Sequence, residues 1–227
     1  MPRSKRYVEV AKKIDSNKLY AVAEAIPVLK ETSTTKFKGS VELHVKLGIN
    51  VGKSDQLVRG TVSLPHGSGK TSKVAVFAEG DATKEAKTAG ADIVGGQELI
   101  DEIKKTGKID FDVAVATPEM MKNLAQIAKV LGPKGLMPSP KNETVTKNVK
   151  EAVEELKKGK QAFKNDATGN VHMIVGKTDF EDAKLIQNIE AAIDAIKKAK
   201  PSSSKGTFLK NISLNATMGP GIKVTTA

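Results

Sequence analysis

The 227-residue sequence contains no cysteine. Disulfides, thiolate zinc sites, iron–sulfur clusters and cysteine nucleophiles are therefore excluded. Tryptophan is also missing, and aromatic residues make up only 4%. A surface built to stack many splayed bases needs more rings than this. No run of about 18 apolar residues occurs, so a transmembrane helix is excluded. No apolar segment follows Met1-Pro2-Arg3-Ser4-Lys5-Arg6, so no secretory signal is expected and the cytoplasm is the expected location. His44, His66 and His172 are far apart in sequence and lack metal-ligand spacing. No G-x-S-x-G elbow occurs, and acidic residues mostly punctuate helix starts and solvated faces. No catalytic residue, metal site or cofactor is expected.

Hydrophobic residues make up 39% and charged residues 28%, the composition of a folded chain with one large domain or two small ones. Lys plus Arg number 37 against 26 Asp plus Glu, a net charge of +11. A field of that sign favours a polyanionic partner, either nucleic acid or an acidic membrane surface.

Periodicity divides the chain into segments of two styles. Helical spacing is expected from Ser4, read as the N-cap, to Ile14 and from Ser16 to Leu29, with Pro27 bending or shortening the second helix. Strand alternation follows at Val41 to Ile49 and again at Val58 to Leu64, read as an antiparallel pair. After His66-Gly67-Ser68-Gly69-Lys70 the pattern becomes β-α-β-α. Strands are expected at 73–77, 91–94 and 111–116, and helices at 81–89, 97–105 and 117–131. Short unalternating strands between helices argue for a parallel sheet covered on both faces. A loop at 132–141 leads to a helix at 145–158. Beyond Gly159, alternation returns at 161–164 and 171–175. Thr178-x-x-Glu181 reads as a capping box for a helix carrying Phe180, Ala183, Ile186, Ile189, Ile193 and Ile196 and stopped by Pro201. A last strand is expected at 206–217, with Phe208, Lys210, Ile212, Leu214 and Ala216 in phase.

The expected fold is therefore α/β with two domains. Residues 1–67 plus 160–227 form a discontinuous outer domain with a mixed or antiparallel sheet. Residues 68–159 form an inserted Rossmann-like domain. Charge supports this cut: the outer segments hold 22 basic and 12 acidic residues, the inner one 15 and 14. A polyanion should meet the outer domain first.

Ser68-Gly69-Lys70-Thr71 resembles the end of a phosphate loop, but position 64 is Leu64 rather than Gly and a strand follows where a helix is required. No G-x-G-x-x-G follows any strand. Four clusters in the outer domain bear instead on RNA. Lys36-Phe37-Lys38-Gly39-Ser40 leads into Glu42; its cations suit phosphates, and Phe37 either packs on a ribose or base or tucks into the core. Asn165 to His172, with Gly169, reads as a polar hairpin turn. Asn215-Ala216-Thr217-Met218-Gly219-Pro220-Gly221 offers close backbone approach, a Thr217 hydroxyl and a polarizable Met218. Arg3, Lys5 and Arg6 form a basic run, for phosphates or for solvent. Two other classes stay open on these residues: a nucleotide-dependent enzyme using the central domain, and a basic nucleic-acid binder without structural preference.

The sequence resembles the bacterial family of the large-subunit ribosomal stalk protein, number one in that subunit's naming. The resemblance covers essentially the whole chain. Its most specific stretches are Lys36-Phe37-x-Gly39-Ser40-Val41-Glu42, Phe111 to Met121, Val130 to Pro138, and Asn215 to Gly221. It implies a structural, non-enzymatic constituent of the large ribosomal subunit that binds stalk rRNA chiefly through the outer domain. It implies a part in movement and release of deacylated tRNA at the exit site, and repression of translation of its own operon mRNA. A monomer is expected when free, with no membrane partner. Phe37 and Thr217-Met218-Gly219 match the family's main rRNA contacts. Lys36, Ser40, Glu42 and Gly221 are nearby candidates, and Gly169 and His172 match a second contact region.

Overall fold

The computed structural model describes residues 3–15 and 17–225. Met1, Pro2, Thr226, Ala227 and the expected helix start at Ser16 lie outside the described residues. The chain divides into two compact units, Met1–Gly69 with Ala162–Ala227, and Lys70–Gln161. Both divisions fall two residues beyond the breaks expected at 67 and 159. Ser68 is buried, and a Cβ on Gly69 would lie 2.7 Å from Lys177 Cγ and 3.1 Å from Phe180, so both residues pack with the first unit.

In the first unit, α1 (Lys5–Ala11) is capped by Ser4, whose Oγ accepts from Tyr7 N. Helix α2 (Val22–Thr32) starts later than expected and passes through Pro27. Pro27 and Ala23, whose carbonyl Pro27 leaves without a helical donor, both face solvent, so water satisfies what the ring removes. Strand β1 (Ser40–Leu47) alternates without a fault: Val41, Leu43, Val45 and Leu47 are buried and the residues between them are not. It lies between β7 (Asn170–Lys177) and β8 (Leu209–Ala216), with β9 (Ile222–Val224) beyond β8, all antiparallel. β2 (Arg59–Ser63) does not pair with β1 as expected; it pairs with β6 (Lys160–Lys164) in a separate ribbon.

Helices α2 and α8 (Asp182–Lys198) cover one face of the four-stranded sheet, sharing a core with Ile26, Leu29, Leu43, Leu185, Ile189 and Leu214. Each such fully buried aliphatic side chain contributes about 1.5–3 kcal/mol. The capping box does not form. Thr178 N donates to Gly39 O, and α8 begins only after Glu181, leaving Ala183 exposed and Phe180 ahead of the helix. Asn188 is fully buried on the apolar face of α8. Its Oδ1 accepts from His66 N (3.1 Å), and its Nδ2 donates to Gly67 O (2.9 Å) and Val175 O (2.8 Å). The last expected strand is shorter, and a bulge opposite Lys46/Leu47 breaks its phase, so Lys210 is exposed.

In the second unit, β3 (Val74–Phe77), β4 (Ile93–Gly95) and β5 (Val113–Ala116) form a parallel sheet in the order β4-β3-β5. Ala75 and Phe77 face α4 (Gln97–Thr106), α5 (Met121–Leu124) and α6 (Ala128–Leu131). Val74 and Val76 face α3 (Asp81–Thr88) and α7 (Val149–Lys157). Both faces are covered, as unalternating strands require. Two helices are shorter than their patterns. Thr117-Pro118 opens a turn rather than a helix, and a 3-10 segment at Ala125–Ile127 separates α5 from α6. Val145 bridges Ala116 in parallel, so α7 starts after Asn148.

Candidate nucleic-acid interface

Among the described residues, one face of the four-stranded sheet has no helix layer. Because opposite residues of an antiparallel pair share a face, the register places Glu42 beside Asn215 and Ile174, His44 beside Ser213 and His172, and Lys46 beside Asn211 and Asn170. The result is an open and mostly polar face one strand wide on each side of β1.

At one end of it lie Lys36, Phe37, Ser40, Glu42, Thr217, Met218, Gly219 and Gly221. Backbone and hydroxyl groups stitch this end together. Thr217 N donates to Ser40 O (3.0 Å), Ser40 N donates to Thr217 Oγ1 (2.9 Å), and that hydroxyl donates back to Ser40 O (3.3 Å). Lys177 Nζ donates to Ser40 Oγ (2.8 Å). The Thr217 hydroxyl therefore shapes the turn. Gly219 N donates to Ala216 O (2.8 Å) and closes the turn, with Met218 at φ +64°. Gly221 is exposed, and a Cβ there would meet open space.

Phe37 does not tuck into the core. It is 57% exposed and Met218 is 65% exposed. Both belong to loops at the Ser40–Thr217 junction: Thr35 Oγ1 donates to Phe37 O in one, and the tight turn holds Met218 in the other. Lys36 is exposed and makes no ion pair among the described residues, whereas Lys38 is paired with Asp179 at 2.8 Å. That contact raises the Lys38 pKa and lowers the Asp179 pKa. Arg3 lies over the Tyr7 ring at 4.4 Å, and Arg6 is bound to Thr34 and Met218 O, so neither is a free solvated cation.

Gly169 is not brought to this end. It sits in the β6–β7 turn beside Leu47, at the far end of β1, about 20 Å away at the usual rise per strand residue. Its φ of +79° suits glycine. The turn is organised by Asp166, whose carboxylate accepts from the backbone N–H groups of Asn170 (2.7 Å) and Thr168 (2.9 Å). The Asn170 N–H bond, with help from the Thr168 hydroxyl, holds the Asp166 carboxyl far below the usual carboxylate range.

His172 lies between the two ends. Its Nδ1 is 2.8 Å from His44 Nδ1, and His44 Nε2 is 3.1 Å from Asn215 Oδ1. One ring must donate and the other accept, so this geometry holds a single proton between the two Nδ1 atoms. The register also brings His44, Lys46, Asn211 and Ser213 onto this candidate face beside Asn215, and residue type alone does not single these four out. The period of two in β1 and in Asn211-x-Ser213-x-Asn215 was the signal that grouped them.

Other chemistry finds no frame. Lys70 of the Gly/Ser stretch pairs with Asp112 at 2.7 Å, which lowers the Asp112 pKa, and β3 follows. Among the described residues, no group of three or more His, Asp or Glu is arranged to hold a metal, and no helix is long and apolar enough to cross a membrane.

Comparison with known proteins gives the arrangement a family. Residues 29–220 match the profile of the ribosomal protein L1p/L10e family. The large ribosomal subunit protein uL1 of Thermosipho melanesiensis is 51% identical over 228 residues, covering 100% of this chain and 98% of that protein. The protein of the same name from Kosmotoga olearia is 52% identical over 222 residues, with 98% and 96% covered. That from Streptomyces coelicolor is 53% identical over 220 residues, with 97% and 91% covered. With identity at this level along nearly its whole length, the chain belongs to the ribosomal protein L1p/L10e family, whose members are structural, non-enzymatic components of the ribosome.

Proposed function

We propose that this protein is a constituent of the large ribosomal subunit that binds the stalk region of its rRNA through the Phe37–Met218 end and the open sheet face of the first unit. The observation that carries this reading is the exposure of Phe37 and Met218 in two loops fastened to each other through Ser40 and Thr217. Neither large apolar side chain helps the core, and together they offer van der Waals surface that a folded RNA groove can cover. Lys36 supplies charge beside them with no acidic partner among the described residues. The first unit holds 21 basic and 12 acidic residues, so it carries +9 of the net +11.

Ser40, Glu42 and Gly221 lie at the same end and belong to the proposed contact, as do Thr217 and Gly219 through the turn they shape. Gly169 and His172 form a second contact farther along the face. The family resemblance supports two further roles: a part in movement and release of deacylated tRNA at the exit site, and repression of translation through the protein's own operon mRNA. The protein is then a monomer when free and acts on ribosomes in the cytoplasm.

The test is a binding titration against folded stalk RNA and a scrambled duplex of equal length at several salt concentrations. Stalk RNA should bind far more tightly at every salt. Equal affinity for both RNAs would reduce the protein to a basic binder without structural preference.

A further inference from the structure

The basic run at the N-terminus read as phosphate contacts or a solvated end, yet the half-exposed Arg6 is held by the protein's own acceptors. Its Nη1 donates to Thr34 Oγ1 at 3.0 Å, and its Nη2 donates to Met218 O at 2.8 Å. Thr34 lies in the loop that carries Phe37, and Met218 lies in the turn across from it. One guanidinium thus spans the two segments that expose the large apolar side chains.

We infer that Arg6 is a positioning residue for RNA recognition: it fixes the Met218 turn against the Phe37 loop before RNA arrives. This rests on the RNA-binding reading above. Three observations carry it. Met218 has a φ of +64°, a left-handed conformation that a non-glycine residue adopts only when its surroundings hold it there. Its side chain is 65% exposed, so packing does not hold it. The Arg6 contact on its carbonyl is charge-assisted, and such bonds are stronger than neutral ones.

Helix α1 is itself held in place. Ser4 caps it through Tyr7 N, and Val10 is buried at 5% exposure. The guanidinium is therefore delivered from a fixed helix. Its planar fork reaches a hydroxyl and a carbonyl at once, which the single ammonium of lysine does less well. Preorganisation of this kind improves affinity by reducing the ordering cost of binding.

The experiment uses the full chain with Arg6→Ala, Arg6→Lys and Met218→Ala. Each is titrated with folded stalk RNA and a scrambled duplex at several salt concentrations. Amide exchange of Gly219 is followed in the RNA-free protein, and thermal unfolding shows that each variant is folded. For Arg6→Ala, affinity for stalk RNA should fall about tenfold, the scale of a lost specific contact. Affinity for the duplex and both salt slopes should stay as they were, and Gly219 should exchange faster. Arg6→Lys should resemble Arg6→Ala although the charge is kept.

A slope shallower by about 0.7–0.9 on both RNAs, with Gly219 exchange unchanged, makes Arg6 a phosphate contact and overturns the inference. Full rescue by Arg6→Lys overturns it as well. If Met218→Ala loses discrimination and Arg6→Ala does not, the inference falls and the RNA reading stands. If Met218→Ala keeps full discrimination, the RNA reading falls and takes the inference with it.

Discussion

Thr217 Oγ1 accepts a hydrogen bond from Ser40 N and returns one to Ser40 O, so one hydroxyl completes the sheet where β1 begins and β8 ends. This joins residues 177 positions apart and sets where the Met218 turn begins. Thr217→Ala leaves the Ser40 N–H without that partner in a half-buried place. It should cost about 1–2 kcal/mol of stability. Affinity for stalk RNA should fall with it, while Thr217→Ser restores both. Thermal unfolding and RNA titration of the two variants check this.

Met218→Gly should separate stability from recognition. Relief of the left-handed backbone gains roughly 1–2 kcal/mol, against roughly 0.5–1 kcal/mol for the extra freedom of an unfolded glycine. No packing is lost, since the side chain is exposed. Denaturant unfolding should therefore show stability held or slightly raised, while stalk-RNA affinity falls by about 1–3 kcal/mol.

Lys36→Ala should do the reverse of a shape change. Binding to stalk RNA and to duplex should weaken alike, and the slope of log K against log salt should become shallower by about 0.7–0.9. Loss of discrimination with an unchanged slope would remove Lys36 from the phosphate contacts.

The Asp166 turn gives a pH dependence of defined sign. Its folded pKa is depressed by the Asn170 N–H, so its contribution is fully present above the unfolded carboxylate range, near 3.8, and is lost as pH falls below it toward the folded value. The stability gap between the wild-type protein and Asp166→Asn should be constant from neutral pH to about pH 5 and shrink below pH 4. Urea midpoints of both proteins across that range provide the measurement.

Asn188→Ala should be among the costliest polar truncations. It leaves Val175 O without its partner in the interior, and His66 N and Gly67 O without theirs in a part-buried place. A loss of about 3 kcal/mol is expected, seen in denaturant unfolding.

What the sequence made legible followed from local pattern. The alternation of Val41, Leu43 and Val45 is a strand whatever its partners, and Ser4 ahead of α1 is a cap. The short strands Val74–Phe77 and Val113–Ala116 needed cover on both faces and have it. The misreadings are places where a distant partner wins. Thr178-x-x-Glu181 has the residues of a capping box, but Thr178 N is held by Gly39 O. Val145 continues a helical pattern and is drawn instead to Ala116. For the site, residue type pointed to Phe37 and Met218, yet burial decides whether a phenylalanine is core or contact. Arg6 could not be assigned from sequence at all, because its acceptor is 212 residues away. The His44–His172 contact likewise exists only once β1 and β7 have settled their register.

The uninterrupted alternation of β1 divides its positions between two kinds of selection. Val41, Leu43, Val45 and Leu47 face the helices; Glu42, His44 and Lys46 face the side left open. In a saturation scan, damage at odd-numbered positions would register as lost protein abundance, and damage at even-numbered positions as normal abundance with poor incorporation into ribosomes. The parity of the residue number would then report which assay a substitution fails.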